Sequence, residues 1–276
     1  MTIDADISGL ALRFEGLSPA LARELKLQWP AYVRAAPTPG PPALTIRIEE
    51  DARSMAPGRF MEGTLRVEST PAAVVFARDE GDLVQEAQGA RAVVRLARGD
   101  PGRRFWGLVN LACAAVGWSL QQRGGGVVHA AGVVMNERAF LLVGPSGSGK
   151  TTWARAAADA GLPVLSDDCV LVELASGRLI ALGSPFRSKE YPSPGPGRWP
   201  VAALLIPRWD AAPSLAPANR LMLEARITAN LLYSAPAWEE HTGAAGSAAA
   251  IAAGAPAYVL TFGPDASWIP VLTTIR

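Results

Sequence analysis

The feature that most constrains this chain of 276 residues is a glycine-rich segment between an apolar run and a predicted helix. Residues 144–151 read GPSGSGKT and fit the pattern G-x-x-x-x-G-K-[ST] at every fixed position. Residues 139–143 are apolar and predict a buried strand, and the residues from Thr152 onward predict a helix. This order of strand, loop and helix is the setting in which such a loop binds phosphate, so the segment predicts a nucleotide site.

Each fixed position of the loop has a chemical reason. Gly147 and Gly149 have no Cβ, so their backbone N–H groups can turn toward a phosphate. Lys150 supplies a mobile positive charge for the β- and γ-phosphates, and the hydroxyl of Thr151 can ligate Mg²⁺. The predicted nucleotide-binding residues are Gly144, Pro145, Ser146, Gly147, Ser148, Gly149, Lys150, Thr151 and Thr152.

Charge and composition exclude several other classes of protein. There are 26 Lys and Arg against 25 Asp and Glu, so no excess charge favours nucleic acid or an acidic membrane surface. Cys113 and Cys169 have neither metal-site spacing nor the pattern of a disulfide framework. The N-terminus lacks the pattern of a signal peptide, and residues 105–120, the longest uncharged apolar run, fall short of the roughly 18 residues of a spanning helix. We expect a cytoplasmic protein without membrane or nucleic-acid partners.

The secondary-structure pattern indicates an α/β chain in two parts. Residues 1–103 predict a smaller α/β region without a chemical motif, and therefore an accessory or recognition region. Its predicted elements are a helix with Ser18 as N-cap and strands at 10–14, 44–49, 64–68, 73–77 and 85–97. Residues 104–276 predict a catalytic domain. Its predicted elements are helices at 105–121, 152–160, 219–233 and 244–253, a hairpin at 124–143, and strands at 162–165, 169–174, 179–182, 202–207, 258–262 and 270–274.

Two adjacent carboxylates follow the strand at 162–165, one helix after Lys150. Asp167 and Asp168 lie where the carboxyl end of a neighbouring strand would face the phosphate loop. One carboxylate can hold Mg²⁺ and the other can accept a proton from an attacking hydroxyl. The alternative is that Ser-Asp-Asp is an ordinary turn.

His129 lies on the strand that precedes the one feeding the loop. A lone histidine on an apolar strand is usually a core residue. Its position in the predicted hairpin, however, would let it reach the neighbouring strand end and orient an aspartate by a hydrogen bond. His241, the other histidine, fits a solvated helix end.

These motifs carry a resemblance to a known family. The runs HAAGVV from His129, LLVGPSGSGKT from Leu141 and GLPVLSDDCV from Gly161 resemble the catalytic domain of HPr kinase/phosphorylase. They are more narrowly similar to the HprK-related serine kinases of peptide-modification gene clusters. The match is best over about residues 124–172 and looser from there to the C-terminus. It implies a phosphoenolpyruvate-carboxykinase-like P-loop fold with a mixed-sheet core, a homo-oligomer, and Mg-ATP-dependent phosphorylation of a serine in a peptide or protein.

The resemblance also implies roles for individual residues. His129 would pair with an active-site aspartate, Asp167 would be the base, and Asp168 would lie with Thr151 near Mg²⁺. In the segment 182–190, LGSPFRSKE, no acidic residue precedes the glycine, unlike the signature of the bifunctional enzymes. The resemblance therefore does not extend to the reverse phosphorylase reaction. Arg187 is a candidate catalytic residue that would steady phosphate charge, and a solvated loop is the alternative.

Two other functions fit a phosphate loop. One is an ATPase or GTPase switch, which needs a residue to position water and commonly an arginine from a partner. No Asn-Lys-x-Asp segment for reading guanine is present in the sequence. The other is a non-catalytic scaffold that binds nucleotide, against which the intact Lys150, Thr151 and aspartate pair argue.

Overall fold

A computed structural model of the chain describes residues 1–37, 40–55, 65–186, 190–210, 212–233 and 244–275. The chain forms two compact units, each with helices and a mixed β-sheet. The first comprises Met1–Gln122 and Tyr233–Gly243, and the second Arg123–Leu232 and Ala244–Arg276. The predicted α/β class with a mixed sheet is confirmed.

The first unit is built on a seven-stranded sheet. Its strands are β1 (Ile3–Ile7), β2 (Leu10–Glu15), β3 (Leu44–Ser54), β4 (Arg66–Ser69), β5 (Ala73–Arg78), β6 (Gly81–Glu86) and β7 (Arg91–Arg98). They lie in the order β1-β2-β3-β7-β6-β5-β4. β3 is parallel to both β2 and β7, and the other pairs are antiparallel.

Two helices accompany this sheet, α1 (Pro19–Gln28) and α2 (Pro101–Gln121). Ser18 caps α1, as predicted, by accepting a hydrogen bond from the backbone N–H of Leu21. Asp100 caps α2 in the same way through Arg103, and α2 is buried along most of its length against β6 and β7. The predicted boundary between residues 103 and 104 thus falls inside α2, which packs with the first unit.

The described residues of the second unit form nine strands. They are β8 (Gly126–Met135), β9 (Arg138–Val143), β10 (Val164–Ser166), β11 (Cys169–Ala175), β12 (Arg178–Leu182), β13 (Arg198–Trp209), β14 (Ser214–Pro217), β15 (Leu231–Leu232) and β16 (Ala257–Phe262). The helices are α3 (Lys150–Asp159), α4 (Arg220–Asn230), α5 (Ala244–Ala253) and α6 (Ile269–Leu272), with a 3₁₀ turn η1 (Ala266–Trp268) before α6.

Five of these strands close into a ring. β8 pairs with β9, β9 with β13, β13 with β12, β12 with β11, and β11 returns to β8. Within the ring only β9 and β13 are parallel. β13 also runs parallel to β16, so β9, β13 and β16 end at the same edge of the sheet.

The predicted hairpin at 124–143 is confirmed as β8 and β9. Met135 pairs with Arg138, and the two turn residues, Asn136 and Glu137, have φ of 50° and 59°. Positive φ at both positions is typical of the tight turn whose twist matches that of the flanking strands.

The core of this unit lies on both sides of β9. Leu141 and Val143 belong to one apolar cluster, which includes residues of α4 and α5. Phe140 and Leu142 belong to the other, which includes Trp153 of α3 and residues of η1 and α6. β9 therefore reads as a continuous apolar run because both of its faces are buried.

Several predicted elements differ from the structure. The predicted edge strand at 270–274 is wrong: the segment forms α6, because Trp268 and Leu272 turn into the core after Asp265 caps η1. The helix predicted at 219–233 ends at Asn230, and Leu231–Leu232 pairs with β8. The single strand predicted at 85–97 is a hairpin of β6 and β7. Among the described residues, no helix is long and apolar enough to cross a membrane.

The buried position of Leu142 predicts a large stability cost for its truncation. We expect Leu142→Ala to lower the free energy of unfolding by about 2–5 kcal/mol, because it leaves a cavity in a packed core. Urea denaturation followed by circular dichroism measures this. Leu221→Ala, at an exposed site on α4, is the control and should change stability little. Equal midpoints for the two variants would contradict this account of the core.

Candidate active site

The phosphate loop joins the end of β9 to the start of α3, as the sequence predicts. Gly147 and Gly149 have φ of 78° and 95°, in the left-handed region that favours glycine. At Gly144 an added Cβ would lie 2.7 Å from Cγ of Pro207, so close packing also requires glycine there. Glycine is thus required for two separate reasons: backbone conformation at Gly147 and Gly149, and lack of space at Gly144.

The first turn of α3 is suited to an anion. Gly149 is its N-cap, and the helix begins with Lys150, Thr151 and Thr152. No side chain of the described residues caps this end, and the first turn has no acidic residue. The terminal N–H groups and the positive end of the helix dipole can therefore act on a bound phosphate.

The side chain of Lys150 is buried within the glycine-rich loop. Its Nζ donates hydrogen bonds to the carbonyl oxygens of Gly144 at 2.7 Å and Pro145 at 3.0 Å. Burial lowers the pKa of Lys150, and the charges of Asp168 and Asp167 oppose this effect. An ammonium group has three donors, so one N–H bond of Lys150 remains to be directed at a phosphate oxygen.

A turn held by Ser166 positions the two aspartates. β10 ends at Ser166, whose buried Oγ accepts hydrogen bonds from the backbone N–H groups of Asp168 at 3.1 Å and Cys169 at 3.0 Å. The chain then continues as β11. Residues 166–168 thus form a turn, in agreement with one of the two interpretations of Ser-Asp-Asp. It nevertheless directs both carboxylates into the cleft described below.

His129 pairs with Asp168 and not with Asp167. Nδ1 of His129 lies 2.8 Å from Oδ1 of Asp168, and Cys169 is the cross-strand neighbour of His129 in the β8–β11 ladder. An ionised carboxylate can only accept, so Nδ1 carries the proton in this bond. The predicted contact between His129 and an aspartate is therefore present. Its partner is Asp168, the residue expected near Mg²⁺.

The pair sets the protonation state of Asp168. The hydrogen bond from His129 is the largest of the effects that hold the pKa of Asp168 below its ordinary value, and partial burial acts in the opposite direction. The thiol of Cys169 and the charge of Lys150 add smaller lowering effects. Since 64% of the Asp168 side chain is still exposed, an ionised oxygen faces solvent in the cleft.

One cleft of about 410 Å³ brings together most of the predicted site. Its walls contain His129 from β8, the loop and first turn of α3, and the aspartate pair; its lining residues are His129, Ser146, Gly147, Gly149, Lys150, Thr151, Thr152, Asp167 and Asp168. The remaining predicted loop residues, Gly144, Pro145 and Ser148, lie in the same loop. Arg187 and His241 lie outside the described residues.

A second cleft of about 530 Å³ adjoins the first through His129 and Ser146. Its opposite wall is α4, which contributes Met222, Ala225, Arg226, Ala229 and Asn230. The sequence predicted an amphipathic helix here but gave no reason to assign it to the site. The exposure of Met222 is a property of the fold and could not be predicted from the local sequence.

The donor set fits a magnesium ion shared with a nucleotide. Thr151, Asp167 and Asp168 line the same cleft. Within the described part of the chain, no cluster of three or more His, Cys, Asp or Glu side chains could hold a metal ion. Mg²⁺ commonly binds one or two carboxylates together with phosphate oxygens and water, so two carboxylates and a hydroxyl are a sufficient protein contribution.

Comparison with known proteins adds no assignment. No family model matches the chain, and no curated protein matches it significantly.

The His129–Asp168 contact predicts how the pKa of Asp168 responds to mutation. We expect His129→Phe to raise the pKa of Asp168 toward its ordinary value, because the largest lowering effect is removed. Cys169→Ala is the matched control and should raise it less. Carboxyl ¹³C NMR across an acid titration measures both. An unchanged pKa in His129→Phe would mean that the pair does not form in solution.

Proposed function

We propose that this chain is a Mg-ATP-dependent kinase that transfers the γ-phosphoryl group to a serine hydroxyl of a peptide or protein. The observation that carries the proposal is the cleft shared by the phosphate loop and the His129–Asp168 pair. A phosphate loop alone supports nucleotide binding. A carboxylate held by a histidine at the same cleft adds a group that can accept a hydroxyl proton. The resemblance to HprK-related kinases supports serine as the acceptor.

The proposed reaction uses Asp168 as the base. As the acceptor oxygen forms its bond to the γ-phosphorus, the hydroxyl proton passes to the carboxylate of Asp168. The bond between that phosphorus and the β,γ-bridging oxygen breaks, and its electron pair leaves with ADP. Phosphoryl transfer passes through a loose transition state and depends mainly on position and charge, so a carboxylate with a lowered pKa suffices.

With Asp168 as the base, the roles of Asp167 and Asp168 are the reverse of those expected from the sequence. Asp167 would then hold Mg²⁺ together with Thr151, and the bound ion would neutralise phosphate charge. Lys150 and the N-terminus of α3 would hold the β- and γ-phosphates. The role of Asp167 as base stays a prediction, and the pairing of His129 with Asp168 favours the exchanged roles.

The second cleft favours a kinase over a simple ATPase. Water as acceptor needs no space beyond the phosphate site. A peptide segment needs a surface beside the base, and the α4 cleft offers one because it shares His129 with the phosphate cleft. Arg226 adds a positive charge to its wall, which suits an acidic or phosphate-proximal group of the acceptor.

The base can be identified by paired substitutions in the full-length protein. We expect Asp168→Asn to lower kcat by about 10²–10⁴-fold with nucleotide affinity retained, since an amide cannot accept the proton. Asp167→Asn should instead raise the Mg²⁺ concentration needed for half-maximal activity, with activity partly restored at high Mg²⁺. The assay is mass spectrometry of a library of serine-containing peptides incubated with Mg-ATP. Loss of transfer only in Asp167→Asn would restore that residue as the base.

A second variant tests whether the α4 cleft admits the acceptor. We expect Ala225→Trp, which fills the cleft, to abolish peptide phosphorylation without changing the dissociation constant for Mg-ATP. Thr228→Trp places the same bulk at an exposed site of α4 that does not line the cleft, and should leave transfer intact. Equal transfer by both variants would show that the acceptor approaches elsewhere. ATP hydrolysis with no phosphorylated peptide in the unmodified protein would favour a switch.

A further inference from the structure

An exposed tryptophan lies at the other side of the phosphate loop from the aspartates. Trp209 is the last residue of β13 and is 59% exposed, an unusual degree for so large an apolar side chain. β9 pairs with β8 on one side and with β13 on the other. The His129–Asp168 pair lies on the β8 side of the loop, and Trp209 lies on the β13 side.

Strand direction brings Trp209 to the loop. β9, β13 and β16 are parallel, so their carboxyl ends meet at the edge where the phosphate loop begins. Phe262, the last residue of β16, is the ladder partner of Trp209. A Cβ built on Gly149 would lie 3.0 Å from Cζ of Phe262 and 3.5 Å from Cε3 of Trp209. Both rings are therefore immediate neighbours of the N-cap of α3.

The indole packs against Phe262 and remains more than half exposed. The ring centroids of Trp209 and Phe262 are 5.5 Å apart with an interplanar angle of 71°. Phe262 is fully buried, and its carbonyl oxygen accepts a hydrogen bond from the backbone N–H of Asp210. The residue that follows Trp209 is thus tied to β16, which fixes the direction of the strand end.

We propose that Trp209 is the platform on which the base of a purine nucleoside triphosphate stacks while the phosphates occupy the loop. An aromatic ring beside a phosphate site can provide affinity for the rest of the nucleotide, because every nucleobase has a π-face. The same property means that stacking does not distinguish ATP from GTP. The inference rests on the proposed nucleotide binding and adds the surface that receives the base.

The experiment compares nucleotides with inorganic tripolyphosphate, which has the phosphates but no base. Calorimetry with Mg²⁺ gives the dissociation constants of ATP, GTP and tripolyphosphate for the full-length protein. We expect Trp209→Ala to weaken binding of ATP and of GTP about tenfold or more, with tripolyphosphate unchanged. Trp209→Phe, which keeps an aromatic ring, should retain most of the affinity. Trp106→Ala, at a 42% exposed tryptophan of α2, is the control and should bind all three ligands as the unmodified protein does.

Three results would contradict stacking of the base on Trp209. Unchanged ATP affinity in Trp209→Ala overturns the stacking role and leaves the proposed function standing. Equal weakening of ATP and tripolyphosphate also overturns it, since the substitution would then act through the loop. If the unmodified protein binds neither ATP nor tripolyphosphate, the proposed function fails, and the inference fails with it.

Discussion

The burial of β9 on both faces is the constraint on which the site depends. Its side chains alternate between two apolar clusters, and its backbone pairs with β8 on one side and β13 on the other. β9 is thus held by packing on both faces and by pairing on both edges. The glycine loop therefore leaves β9 from a defined point and direction, and α3 begins where its N–H groups can converge on a phosphate. The rigidity needed to orient a phosphate comes from the apolar core beneath it.

Positive and negative side chains lie close together around the loop. Lys150 donates hydrogen bonds to two carbonyl oxygens inside the loop; burial lowers its pKa, and the charges of the two nearby carboxylates offset only part of this effect. Asp168 remains ionised because His129 and Lys150 both favour its charged form. A triphosphate would add negative charge to a site that already contains two carboxylates. This balance gives a divalent cation a physical reason to accompany the nucleotide.

The sequence predicted local features better than long-range ones. The loop, the hairpin before it and the cap of α1 each depend on neighbouring residues, and the structure contains all three. The His129 contact was also expected, but its partner could not be chosen, because Asp167 and Asp168 are adjacent and the turn at Ser166 decides which one faces β8. The ring of strands, the α4 wall and the position of Trp209 depend on pairings between distant segments. The strand prediction at 270–274 is wrong because burial against η1, and not β-propensity, decides the conformation of this apolar segment.

β13 serves two structural purposes along its length. Its beginning pairs with β12 to close the ring, and its end runs between β9 and β16 to reach the phosphate loop. A residue inserted between these two parts would shift the register of one pairing relative to the other. It would also move Trp209 away from Gly149. The length of β13 between its two pairings therefore sets the position of the indole ring beside the N-cap of α3.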